Sequence, residues 1–243
     1  MEPHIHDSLW DALQSHIVFV LVALAIMTSI LILTVFLEKA LLGKAEQTIP
    51  KNSAKKVSVI GLLSAVGGVL TLIEIPLFIF YQLDFSEVPA LIAGFLMGPV
   101  AGVIVELLKV VIHVLFHGSH SAFVGEFAMF ISGCFLVIPA SIVFRKGKTV
   151  KAALLGLLSG VLCLVVLGAL FNGFYLIPAF AKLYAGADVS EIIRMASEKI
   201  PAITNIWTLV LFATTPFNLI KGVTMSLIAF LIYKPLGAVF HNL

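Results

Sequence analysis

The stretch A-L-I-A-G-F-L-M-G-P-V-A-G-V-I-V-E-L-L-K, residues 90–109, places a short apolar segment directly before a longer one. Gly98 and Pro99 interrupt regular helix between them, since glycine adds backbone freedom and proline lacks an N–H donor. The first segment, 88–97, is too short to cross the ~30 Å hydrocarbon core, which needs about 20 helical residues. We therefore predict a partial span buried among neighbouring helices, followed by a longer helix over 101–116.

The whole chain is strongly apolar. Of its 243 residues, 60% are hydrophobic and 12% are charged, with a mean hydropathy of +1.14; soluble domains have about 45–50% and about 25%. This composition predicts an all-α integral membrane protein surrounded by the lipid bilayer. The spans that we predict are 16–37, 57–80, 88–97, 101–116, 123–144, 152–180 and 203–234.

Charges are sorted between the two sides of these spans. Five lysines lie between the first two spans and four basic residues between the fifth and sixth, whereas acidic residues dominate the opposite ends. The positive-inside rule then predicts a multi-pass cell-membrane protein with its N-terminus outside and its C-terminus cytoplasmic. The net charge of only +2 is too small to indicate a nucleic-acid partner, and we expect none.

We divide the chain into two parts. Residues 1–56 are predicted to form an extra N-terminal transmembrane helix and a basic cytoplasmic linker, and residues 57–243 the main membrane domain. Within that domain, 181–201 reads as an amphipathic piece at the outer surface.

Ionisable side chains fall inside the predicted spans, where each charge costs at least ~2.5–3.5 kcal/mol at the bilayer centre. Glu106, Lys109 and His113 are spaced three and four residues apart and share one helix face. This face is compatible with an internal ion pair, with the polar wall of a ligand cavity, or with the site of an intramembrane enzyme.

Amide groups occur at similar depth. Asn172 lies within one span, and Asn218 and Lys221 share a face of the last span. Asparagine offers donors and an acceptor, while lysine offers donors only. Such groups suit a neutral heterocycle with imide and ring-nitrogen edges, packed among aromatic side chains.

Two outer loops border these spans. Q-L-D-F-S-E-V-P, 82–89, is either a turn capped by Ser86 or a lid over the broken helix. His117 and His120 follow His113, but no other outer residue completes a tetrahedral zinc site, so we expect a loop rim and no metal. Glu126 begins the next helix and is expected near the outer mouth.

Catalytic and nucleotide-binding motifs are missing from the sequence: it contains no G-x-S-x-G, no H-E-x-x-H and no Walker loop. We therefore expect no enzyme and no bound cofactor, and active transport would need an ion gradient or a partner protein. A structural membrane scaffold that binds no small ligand is an alternative of another class.

Longer motifs give a more specific hypothesis. The motifs are S-A-V-G-G-V-L-T-L-I-E-I-P (64–76), L-D-F-S-E-V-P-A (83–90), N-G-F-Y-L-I-P-A-F (172–180) and P-F-N-L-I-K-G (216–222). Over roughly 57–236, the chain resembles the riboflavin-specific S component of energy-coupling factor transporters. The resemblance implies a six-helix core, to which 16–37 adds a helix, that captures riboflavin from outside. It also implies a transmembrane coupling protein and two ABC-type ATPases as partners.

The same resemblance implies a set of substrate-binding residues with riboflavin as the transported ligand: Gln82, Leu83, Asp84, Phe85, Asn172, Asn218 and Lys221. To these we add Lys109, from the polar helix face, and Glu126, from its expected place near the outer mouth. It further implies that small residues of the first core helix contact the coupling protein. Either Gly61 with Ala65 or Ser64 with Gly68 has the required spacing.

Some positions depart from the family pattern. Val110 and Met129 stand where many relatives have asparagine, and histidines replace a glycine-rich stretch within 117–124. An S component for FMN or another small vitamin is therefore the alternative within transport, beside an enzyme using Glu106, Lys109 and His113.

Overall fold

The structure is a computed structural model that describes residues 16–46, 53–78, 81–119, 121–183, 186 and 188–242. Its helices are α1 (Ile17–Glu46), α2 (Ser53–Leu70), α3 (Glu87–Met97), α4 (Pro99–His117), α5 (Val124–Gly147), α6 (Val150–Phe171), α7 (Ile177–Leu183), α8 (Val189–Ser197), α9 (Ile206–Leu209) and α10 (Thr215–Asn242). Two strands, β1 (Ile75–Phe78) and β2 (Tyr81–Leu83), pair as an antiparallel hairpin between α2 and α3. The predicted all-helical membrane architecture is confirmed, with this hairpin as an addition.

Five helical stretches of the described residues are long and apolar enough to cross a bilayer: Ile17–Gly43, Pro99–His117, Val124–Gly147, Val150–Leu183 and Ile206–Leu236. All five match predicted spans to within a few residues at most boundaries. Their exposed surfaces are largely aliphatic, as for Leu115, Leu162 and Leu231. Such a surface is stable against hydrocarbon, so the chain is a multi-pass membrane protein.

The predicted span 57–80 is wrong in its second half. Helix α2 ends at Leu70, and Ile75 to Phe78 form a strand, while residues 79–80 lie outside the described part. Pro76 disfavours helix at the preceding residue and cannot donate a backbone hydrogen bond. The β-branched Ile73 and Ile75 then favour an extended chain, which turns back as the hairpin.

The short helix α3 is enclosed, as predicted. Every residue from Glu87 to Phe95 is buried, and the helix contacts α2, α4, α5 and α10. At its end Gly98 has φ 109°, a backbone conformation that favours glycine, and the Arg145 guanidinium donates to the Leu96 carbonyl at 3.2 Å. An 11-residue helix is too short to span the bilayer, and this one is enclosed by the surrounding protein instead.

Helix α1 packs on the outside of α4 and α5. Ala23 and Met27 are buried in a cluster with Phe127 and Phe130. Further along α1, Glu38 Oε2 accepts a hydrogen bond from the Val100 backbone at 2.9 Å. A carboxylate at the first turn of α4 satisfies a free N–H and complements the helix dipole.

Two helices continue through π-helical turns rather than ending. Asn172–Leu176 joins α6 to α7, and Val210–Thr214 joins α9 to α10. Such turns are frequent at functional sites because they shift the register of the side chains that follow. The predicted amphipathic piece is α8, in which Ile192 and Ala196 are buried and Arg194 is exposed beside Glu191 and Glu198.

Candidate ligand-binding cavity

A cavity of about 630 Å³ is lined in part by strand β2, and its volume is within the range of small-molecule sites. The ends of several helices surround it. The residues that line it are Glu74, Tyr81, Gln82, Asp84, His113, His117, Ser121, Val124, Gly125, Glu126, Ala128, Met129, Ser132, Asn172, Leu176, Ile177, Phe180, Ile192, Met195, Phe217, Asn218 and Lys221.

Six of the nine predicted substrate-binding residues line this cavity: Gln82, Asp84, Glu126, Asn172, Asn218 and Lys221. The other three are not among the lining residues. Leu83 is buried in the main apolar cluster, and Phe85 packs against that cluster. Lys109 has no exposed surface, so its predicted contact with a ligand has no support in this geometry.

Lys109 instead holds the first turn of α3. Its ammonium donates to Ser86 Oγ at 2.8 Å and pairs with Glu106 at 2.8 Å and Glu87 at 3.2 Å. Ser86 precedes α3 as predicted, but its side chain makes no capping hydrogen bond, because the hydroxyl oxygen faces the lysine. Of the alternatives for Glu106 and Lys109, the internal ion pair is the one observed.

Lys221 of α10 joins the same charge network. Its ammonium lies 2.9 Å from Glu87 and 3.2 Å from Asp84. Burial raises the pKa of Asp84. The charges of Lys221 and Lys109 and the hydrogen bonds from Ser86 together lower it by more, so the pKa falls to about 2. The hairpin end is therefore attached by an ionised carboxylate to a lysine that also borders the cavity.

The two asparagines lie beside α6. Asn172 Nδ2 donates to the Gly168 carbonyl at 2.8 Å, and Asn218 Nδ2 donates to the Leu164 carbonyl at 3.4 Å. A Cβ on Gly168 would stand 2.6 Å from Asn218 Nδ2, so this glycine permits α10 to approach α6. Both amides and Lys221 thereby reach the same cavity.

Aromatic and apolar residues complete the walls, and sequence reasoning missed most of them. Tyr81 stacks on Phe217 with ring centroids 4.9 Å apart and planes 24° apart. Phe180 and Ile192 approach from α7 and α8. The available signal for an aromatic wall next to the amide was the position of Phe217 directly before Asn218 in P-F-N-L-I-K-G.

Two histidines, the buried His113 and the exposed His117, also line the cavity. His113 Nδ1 lies 3.0 Å from Thr71 Oγ1, and its ring centroid is 5.1 Å from that of His117. Ser121 donates to Glu126 at 2.8 Å. Within the described residues no group of three or more His, Cys, Asp or Glu side chains is arranged to hold a metal ion; His120 lies outside them.

Comparison with known proteins identifies the family. Residues 55–233 match the family described as ECF transporter, substrate-specific component. The chain belongs to this family. Because the family is one of transporter components, the prediction of a transport subunit and not an enzyme is confirmed.

Individual relatives agree with this assignment. The chain is 32% identical to the riboflavin transporter RibU of Staphylococcus aureus (strain TCH60), over 80% of this chain and 96% of the relative. It is 31% identical to the riboflavin transporter FmnP of Bacillus subtilis (strain 168), over 74% and 90%. A solved structure described as the S component of a bacterial ECF transporter superposes with a TM-score of 0.56 at 27% identity, covering 77% of this chain and 98% of that one.

The two pairs of small residues predicted on α2 differ in their exposure. Gly61 and Ala65 are exposed, and a Cβ on Gly61 would meet nothing within 4 Å. Ser64 is buried, and a Cβ on Gly68 would collide with the Ile112 side chain. Of the two pairs, the first is therefore the one available to another protein.

Proposed function

We propose that this S component binds riboflavin in the cavity beside strand β2 and presents it for uptake into the cell. The observation that carries the proposal is the presence of Asn172, Asn218 and Lys221 together with aromatic and aliphatic side chains in the walls of one cavity. A flavin ring needs an apolar, planar environment together with a few fixed donors and acceptors. The names of the related riboflavin transporters support this choice of ligand.

The charges around the cavity favour riboflavin over FMN. Three carboxylates line it, those of Glu74, Asp84 and Glu126, whereas the ammonium of Lys221 is already paired with Asp84 and Glu87. A phosphate would therefore meet like charge, with no unpaired lysine or arginine among the described lining residues. The hydroxyl groups of a ribityl chain would instead donate to these carboxylates.

Delivery of the vitamin requires partners. A transmembrane coupling protein and two ABC-type ATPases would supply the energy, since the sequence carries no nucleotide-binding loop of its own. The exposed Gly61 and Ala65 on α2 permit close approach of a partner helix. We place the hairpin and cavity outside and the C-terminus in the cytoplasm, because basic residues cluster at the opposite ends of the helices.

A titration of the purified protein tests the ligand. Riboflavin fluorescence should be quenched with one flavin per chain, while FMN should bind at least about 10-fold more weakly because of the carboxylates. Thiamine and biotin serve as controls that should not compete. Equal binding of FMN would assign the alternative substrate, and competition by thiamine or biotin would reject a flavin-specific site.

A further inference from the structure

Three buried polar groups form a chain of hydrogen bonds from the second π-helical turn to α6. Tyr81 Oη lies 2.5 Å from Thr214 Oγ1 and 3.2 Å from Asn172 Oδ1. Asn172 Nδ2 in turn donates to the Gly168 carbonyl. All three residues are at most 8% exposed, and Tyr81 and Asn172 line the cavity while Thr214 is not among its lining residues.

The direction of each hydrogen bond follows from its neighbours. The Gly168 carbonyl accepts only, so it requires the NH₂ end of Asn172 and turns Oδ1 toward Tyr81. The phenol therefore donates its single proton to Asn172, and Thr214 donates to the phenol oxygen. Burial raises the pKa of Tyr81 above its ordinary value, which keeps that proton in place.

This order leaves two hydrogen-bonding positions on the Asn172 amide unused. Its oxygen has a second lone pair and its nitrogen a second hydrogen. An amide fixed in one orientation offers an acceptor and a donor side by side, which complements the N–H and C=O of an imide. An amide free to flip would offer this pattern for only part of the time.

We infer that Tyr81, supported by Thr214, is a positioning residue that fixes the Asn172 amide so that it reads the imide edge of the ligand. The inference deepens the proposed function and rests on it. Neither Tyr81 nor Thr214 supplies the recognising atoms; each acts through Asn172. Chains of aligned hydrogen bonds polarise one another, so loss of one member weakens the next.

The test compares riboflavin with its N3-methyl derivative, which lacks the imide proton. The Kd of the N3-methyl derivative divided by the Kd of riboflavin measures imide recognition. This ratio is insensitive to a general loss of protein stability. Tyr81→Phe should lower this ratio by about 3- to 10-fold, the value of one neutral hydrogen bond. Thr214→Val should lower it in the same direction, whereas Thr214→Ser keeps the hydroxyl and should keep the ratio.

Two controls make the result interpretable. Asn172→Ala should abolish the preference for the imide, and Tyr175→Phe should leave it unchanged, because Tyr175 stacks on Phe171 instead. If Tyr81→Phe retains the wild-type ratio, or if Asn172→Ala does, the inference is overturned. Failure of the wild-type protein to bind riboflavin at all would instead reject the proposed function.

Discussion

Lys109 and Lys221 are two lysines in one buried network with different surroundings. Both ammoniums contact Glu87, and both residues are at most 6% exposed. Lys109 is enclosed by Ser86, Glu87 and Glu106, whereas Lys221 borders the cavity. Equal burial thus accompanies different roles: the first lysine holds the fold of α3, and the second connects that fold to the site. Substitutions should separate these roles, from the largest expected effect to the smallest.

Removal of the Lys109 charge should destabilise the whole domain. Lys109→Met leaves Glu106 and Glu87 without this cation, and breaking a buried pair costs about 3–5 kcal/mol. The melting temperature should fall by roughly 10 °C or more, measured by thermal unfolding in detergent. The double variant Lys109→Met with Glu106→Gln removes one stranded charge and should recover part of the loss; no recovery would contradict the ion-pair assignment.

Removal of the Lys221 charge should reduce ligand binding more selectively. Lys221→Met removes the cation beside Asn218 and loosens the hairpin at Asp84, so riboflavin affinity should fall by about 10- to 100-fold. Its melting temperature should fall less than that of Lys109→Met. Without Lys221, Glu87 keeps Lys109 and Asp84 keeps the Ser86 backbone N–H, whereas without Lys109, Glu106 loses its paired cation. The two-lysine comparison would be broken if the two variants lost affinity and stability in the same proportion.

Neutralising Asp84 should accelerate ligand release without loss of the fold. Asp84→Asn removes the 3.2 Å pair with Lys221, and we expect riboflavin to dissociate up to about 10-fold faster at pH 7. Stopped-flow dilution measures this rate. The substitution keeps the shape of the side chain, so an unchanged rate would show that the pair does not hold the hairpin.

The pKa of Asp84 sets the pH dependence of this difference. Because the folded pKa is depressed from 3.8 to about 2, its stabilising contribution is present above pH 3.8 and is lost as the pH falls toward 2. The stability difference between wild type and Asp84→Asn should therefore be constant from about pH 5 to 8 and shrink below about pH 4. A difference that already shrank on going from neutral pH to mildly acidic pH would contradict the ionised pair.

A change on the outer surface of α2 should have the smallest effect on the isolated subunit. Gly61→Leu adds a side chain where there is open space, so riboflavin affinity should stay within about twofold. Co-purification of the coupling protein should nevertheless be lost. Gly68→Leu is the matched control: it would clash with Ile112 and should destabilise the subunit itself.

The sequence predicted those features whose absence would have a high energetic cost. The apolar segment 88–97 before Gly98 had to be enclosed by protein, and charged side chains at membrane depth had to find partners. Both costs arise whatever the neighbours are, and both expectations are confirmed for α3 and for the lysines. Six of the nine expected substrate-binding residues line the cavity.

Features that depend on distant neighbours escaped prediction. Residues 71–80 are mostly apolar, as in a membrane helix, and only Pro76 and the β-branched Ile73 and Ile75 signalled the hairpin. Lys109 and Lys221 both lie in apolar predicted spans. Only the packing around α3 shows that Lys109 is fully enclosed whereas Lys221 lines the cavity. The contact of Tyr81 with Thr214 joins residues 133 positions apart, and nothing local to either residue indicates it.

The most direct test of riboflavin capture is the amount of flavin bound by the purified wild-type protein. The protein should be isolated from cells supplied with riboflavin, denatured, and the released flavin identified and counted per chain. The cavity and its amide wall predict close to one riboflavin per folded chain. A folded protein that releases no flavin, and that takes up none from micromolar riboflavin, would contradict the proposed function.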